Sequence, residues 1–142
     1  MPNSDSRPEV LVDTSAAVAL VVVDHEHHGT TLDAMGSRRV GLAGHAAFET
    51  YSVLTRLPSP LRRSPGVVAA LLADNFPASC HLSEAAADAL LQELGPEGIA
   101  GGSVYDALVG AAARQHGIVL ATRDRRALVA YRALKIEVEL LL

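Results

Sequence analysis

The sequence predicts an α/β fold: a three-layer α/β/α sandwich around a mainly parallel central sheet. Three observations predict it. Short apolar runs at residues 9–12, 118–121 and 136–140 alternate with longer helical stretches. Gly, Pro, Ser and Asp punctuate the boundaries between them. Acids stand where two apolar runs end, at Asp13 and Asp124, and ligands of open α/β sheets bind beyond the carboxyl ends of the strands.

The elements follow in order. Residues 9–12 read as a buried strand ending at Asp13, and Asp13-Thr14-Ser15-Ala16 as a helix start, with helix over 16–23. A second helix is expected over 24–35, stopped by Gly36. Residues 40–43 are a weak strand candidate. Residues 46–57 read as helix, ended by Pro58. Pro65 opens a helix that runs over 66–75. Residues 78–82 read as a further strand, and Ser83 as the N-cap of a helix to Leu94. After a glycine-rich loop, Ser103 is expected to cap a helix ending at His116, with Gly117 as its stop. A strand over 118–121, a polar loop over 122–126, a short helix near 127–130 and a last strand over 136–140 complete the chain. Right-handed crossovers gather the strand ends on one side.

The 142 residues make one domain, with residues 1–8 expected as a flexible polar tail. At 49% apolar, the chain can bury a sizeable core, built from Ala, Leu and Val. A net charge of −4 does not suggest a protein that coats nucleic acid. All basic residues except Lys135 are Arg, whose planar fork matches phosphate. The single cysteine, Cys80, excludes an intrachain disulfide and is expected as a small buried hydrophobe. No signal peptide is evident, and no apolar run approaches the ~20 residues of a membrane helix, so a cytoplasmic location is expected.

Asp13, Glu49, Asp106 and Asp124 are the candidate catalytic and metal-binding residues. Each also has a structural role open to it. Asp13 suits an N-cap, Ser103 to Asp106 resembles a capping box, Asp124 suits a turn, and Glu49 suits the wet face of a helix. Together, at one sheet edge, four carboxylates repel unless a cation neutralises them. All-oxygen ligands suit Mg²⁺, with Mn²⁺ as a substitute. Such an ion binds phosphate and acidifies water, which makes phosphodiester hydrolysis the natural chemistry.

Four segments carry a family resemblance: Val12-Asp13-Thr14-Ser15-Ala16, the run from Phe48-Glu49 to Arg56, Gly102 to Leu108, and Leu120-Ala121-Thr122-Arg123-Asp124. In this order and spacing the chain resembles the VapC-type PIN-domain toxins over nearly its whole length. The resemblance implies a Mg²⁺-dependent endoribonuclease, a homodimer and a small cognate antitoxin. It assigns the four acids to the metal site, and Thr14, Ser15 and Thr122 to its support. Many members carry a further acid near the last segment, where Arg125 and Arg126 stand here.

Arg56 lies seven residues beyond Glu49, on the same helix face about 10 Å along the axis, within reach of a neighbouring phosphate. Arg123, Arg125 and Arg126 flank Asp124, either to grip the RNA backbone or to offset the acids. His25 to His28 read as an exposed helix start, because no Cys or acid follows at a zinc-like spacing. Dense Ala, Val and Leu in residues 66–72 leave room for an exposed apolar groove that would take the antitoxin. The alternatives are a catalytically weak PIN-like RNA-binding or interaction module, a phospho-receiver-like domain, and a phosphatase with an Asp nucleophile, which wants an acid where Ser15 stands. A receiver needs a lysine at the acid pocket, and Lys135 is poorly placed for that.

Overall fold

The computed structural model describes residues 6–142. Within these residues, four three-residue strands form one all-parallel sheet: β1 Val10–Val12, β2 Val40–Leu42, β3 Leu120–Thr122 and β4 Val138–Leu140, in the order β2-β1-β3-β4. Seven α-helices surround it: α1 Thr14–Val21, α2 His28–Met35, α3 Ala46–Thr55, α4 Pro65–Asn75, α5 Glu84–Leu94, α6 Ser103–His116 and α7 Leu128–Ala133. A 3-10 turn over Arg125–Ala127 leads into α7.

Alternation along β1 sorts the core into two layers. Leu11 packs with Ala107, Ala111, Leu128 and Tyr131 from α6 and α7. Its neighbours Val10 and Val12 point the other way, toward Ala16, Ala17, Met35 and Phe76. All three β1 side chains are buried, as expected for a parallel strand covered on both faces. Helices on both faces of the sheet give the three-layer sandwich. Among the described residues, no helix is long and apolar enough to cross a membrane.

Small residues on α6 set the height of the site. Gly110 faces Tyr131 and Ile136 so closely that an added Cβ would lie 3.0 Å from each side chain. This lets α7 lie against α6, which brings the Tyr131 hydroxyl to the end of the sheet.

The structure corrects three local expectations. The strand expected over 78–82 contracts to a single bridge, Ala43 to Cys80. Pro77 and the Ser83 cap confine the segment, and β2 offers it only the Leu42 carbonyl and amide. The second helix starts at His28, not at residue 24, because the His27 amide is taken by the His25 ring and the intervening residues form turns. Ser103 is the first residue of α6 and not its cap. Gly101, at φ 60°, turns the chain so that Gly102 takes the cap position without a side-chain bond. The expected capping box is therefore absent. Of the expected tail over 1–8, Arg7 donates to the His116 carbonyl at 2.8 Å, and Pro8 is buried. The rest of that stretch up to residue 5 lies outside the described residues.

Candidate active site

Asp13 stands one residue beyond β1, where its amide still bonds to the Ala121 carbonyl of β3 at 3.2 Å. It caps α1 by accepting from the Ala16 amide at 3.2 Å. Its carboxylate is buried and surrounded by donors. The Ser15 hydroxyl donates to Oδ1 at 2.6 Å, Tyr131 donates to Oδ2 at 2.9 Å, and Thr122 also donates to Oδ2. Burial pushes the Asp13 carboxyl above its ordinary range, and these donors pull it part of the way back.

Hydroxyl residues tie this centre to β3 and α3. Thr122 Oγ1 accepts from the Asp124 amide at 3.0 Å, and Ser15 Oγ accepts from the Arg123 amide at 2.9 Å. Thr14 donates to Glu49 Oε2 at 3.0 Å. The other Glu49 oxygen, Oε1, is buried without a hydrogen-bond partner. The nearest cationic candidate is His45 Nε2 at 3.7 Å, one turn earlier on the same stretch. Asp124 caps the 3-10 turn by accepting from the Arg126 amide at 2.9 Å.

All four acids line one small cavity of about 60 Å³, together with Thr14, Ser15 and Tyr131. Asp106 reaches it from the first turn of α6. Burial and the nearby Asp124, Glu49 and Asp13 carboxylates push the Asp106 carboxyl up to about 6. Mutual repulsion of this kind marks a site short of positive charge.

The donor chemistry fits a hard divalent cation: every ligand is an oxygen, the acids repel one another, and Glu49 Oε1 has no partner. Among the described residues, no three His, Cys, Asp or Glu side chains are drawn together tightly enough to hold an ion in this conformation. The physical reason is the same repulsion, together with the hydrogen bonds that already engage both oxygens of Asp13.

The arginines disperse. Arg56 is exposed at the end of α3 and lines a larger cavity shared with Glu49 and Asp106. Arg123 turns its guanidinium toward α2, donating to Thr31 Oγ1 at 3.3 Å. Arg125 faces solvent, and exposed Arg126 stands 3.6 Å from Asp124. His25 and His27, set aside as an exposed helix start, share a cleft with Arg123, Arg126 and Asp124. Sequence reading misses Tyr131 and His45. The signal available for Tyr131 is a lone phenol in an aliphatic run, because a buried tyrosine hydroxyl needs a partner.

A parallel sheet with acids from the ends of β1 and β3, from α3 and from α6 around one cavity defines a PIN domain. Residues 10–133 match the PIN domain family model, and the chain belongs to that family. Within it the chain belongs with the VapC ribonucleases. It is 44% identical to ribonuclease VapC27 of Mycobacterium tuberculosis, an alignment that covers 93% of this chain and 96% of the relative. Among solved structures it is similar to M. tuberculosis VapC20, described as a sarcin-ricin loop cleaving toxin. The TM-score is 0.65 at 26% identity, over 85% of this chain and 94% of that one. A DNA-bound VapBC from Salmonella typhimurium shares the fold at TM-score 0.68 and 19% identity, over 95% of this chain and 99% of that one.

Proposed function

We propose that the chain is the toxin of a toxin–antitoxin pair, an endoribonuclease that uses Mg²⁺ at Asp13, Glu49, Asp106 and Asp124. One observation carries this reading: four acids from distant parts of the sequence line a single cavity. The ion, when bound, would neutralise the acids and a substrate phosphate, and would supply a water acidified for attack. Asp13 is the fixed member, held by Ser15, Thr122, Tyr131 and the Ala16 amide. Asp106 is the adaptable one, since among the described residues it accepts no hydrogen bond. Glu49 Oε1, with no donor of its own, is free to accept the proton of the attacking water. Attack in line at phosphorus would expel the 3′-oxygen and leave 5′-phosphate and 3′-hydroxyl ends. Ser15 and Thr122 act as positioning residues through Asp13.

The test is cleavage mapping on total cellular RNA with Mg²⁺, using Asp13→Asn as control. Equal cleavage by wild type and variant would end the proposal. Calorimetric titration of Mg²⁺ into both proteins separates metal loss from misfolding.

The partners in this reading are the RNA substrate, a second copy of the chain and a small antitoxin. VapC20, a structural relative, is itself described as a toxin. The surface of α4 supports the antitoxin: only Val68 of this apolar helix is buried, and Val67 is 51% exposed. An amphipathic helix would cover that face. Co-expression with the adjacent small gene should give a complex that Val67→Asp weakens. A complex unaffected by that change would place the antitoxin elsewhere.

A further inference from the structure

Aromatic rings are scarce here, and only Phe76 and Tyr131 are spent on the core. Of two Phe and three Tyr, Phe48 is 66% exposed and Tyr105 is 54% exposed. Exposing large rings forgoes the stability that their burial would bring, so their placement calls for a reason. Each is the sequence neighbour of a site acid: Phe48 precedes Glu49 on α3, and Tyr105 precedes Asp106 on α6. His45 bridges them. Its ring stacks on Tyr105 with centroids 5.3 Å apart and planes at 22°, and lies 6.3 Å from Phe48. The three rings line a cavity of about 720 Å³ whose wall also includes Glu49, Asp106 and Arg56. This cavity thus shares two carboxylates with the acid pocket.

The geometry points to a stacking platform: Phe48 and Tyr105, with His45 between them, seat one unpaired nucleobase of the RNA beside the scissile phosphate. Every base has a π face, and an aromatic surface takes it whatever its sequence. A base within a duplex is stacked on both sides and cannot reach the platform without leaving the helix. The rings line the same cavity as the Glu49 and Asp106 carboxylates, so a seated base leaves its own phosphate near the acid pocket. Arg56, on the same wall, offers a cation to the next phosphate. The site therefore selects single-stranded segments or loops over duplex, through the seat and not through the acids. This inference rests on the nuclease reading above.

The experiment uses the full chain and two readouts. The first is cleavage of a short single-stranded RNA in Mg²⁺. Phe48→Ala and Tyr105→Ala should each raise KM about ten-fold with a smaller change in kcat, and Tyr105→Phe, which keeps the ring, should restore KM. The second needs no catalysis. A single-stranded RNA carrying 2-aminopurine is bound by metal-free wild type, where stacking should quench its fluorescence, and Phe48→Ala should abolish the quench. Unchanged KM in both alanine variants overturns the platform while leaving the nuclease intact. If Tyr105→Phe is as damaging as Tyr105→Ala, the hydroxyl and not the ring matters, which also overturns it. If wild type cleaves no RNA, the nuclease reading fails, and the quench alone decides: quenching lost in Phe48→Ala supports the seat, and none in wild type removes it. Alanine variants that lose the co-expressed antitoxin but keep KM and quenching assign the rings to the protein partner instead.

Discussion

Tyr131 donates its hydroxyl to Asp13 Oδ2 at 2.9 Å across 118 residues of sequence. The bond joins α7 to the end of β1 and places a neutral donor against the most buried acid of the site. Burial and the adjacent Asp13 charge push the phenol well above its ordinary range, so it is a protonated donor at neutral pH.

Tyr131→Phe keeps the ring and removes that donor. A buried carboxylate oxygen then loses one of its bonds, which should cost about 1–3 kcal/mol. Urea unfolding should show a lower midpoint at unchanged slope. An unchanged midpoint would mean that water or another hydroxyl replaces Tyr131.

Asp106→Asn separates function from stability. It removes a negative charge that three neighbouring carboxylates oppose, so metal-free protein should melt at a higher temperature than wild type. Activity should fall at least about 100-fold, beyond the roughly 10–100-fold typical for losing a partner that only supports a ligand. The Mg²⁺-induced rise in Tm should shrink at the same time. A variant that melts lower without metal would show that Asp106 supports the fold.

The pH dependence has a definite sign. The Asp106 carboxyl sits near 6 in the folded chain against 3.8 ordinarily, so folding favours its protonated form. The associated stability is complete below the unfolded value and is lost as pH rises through about 6. Asp13, also raised, acts in the same direction. Metal-free protein should therefore lose this contribution across that interval, and saturating Mg²⁺ should reverse the loss. Thermal melts at about pH 4.5 and about pH 7.5, with chelator and with Mg²⁺, measure both slopes. Equal slopes with and without the ion would remove Asp106 from the metal site.

Gly110→Val tests the packing that delivers Tyr131. Even the first added carbon would meet Tyr131 Cδ1 and Ile136 Cγ1 at 3.0 Å. Overpacking should cost about 1–3 kcal/mol and displace α7. Activity should fall with stability, since Asp13 then loses its phenolic donor. Full activity in a destabilised variant would uncouple α7 from the site.

Much of this protein is legible along the chain, because the governing interactions are local. A buried strand followed by Asp, Thr and Ser specifies β1, its exit and the capped start of α1 within seven residues, Val10 to Ala16. The same logic places Asp124 just past β3. The failures are local patterns that distant contacts override. Residues 78–82 look like a strand but find only a bridge beside β2. Ser103 looks like a cap, but Gly101 and Gly102 start the helix before it.

The sequence by itself determined the fold class, the apolar periodicity of the elements and the position of Asp13 and Asp124 just past strand ends, since each is encoded in a few adjacent residues. Only the tertiary structure decided how those acids meet, that Tyr131 holds Asp13, that Glu49 keeps one oxygen free and that Phe48 and Tyr105 flank the same cavity. Those relationships depend on the rotation and height of α3, α6 and α7 over the sheet. Packing between side chains far apart in sequence fixes that geometry, and no local pattern records it.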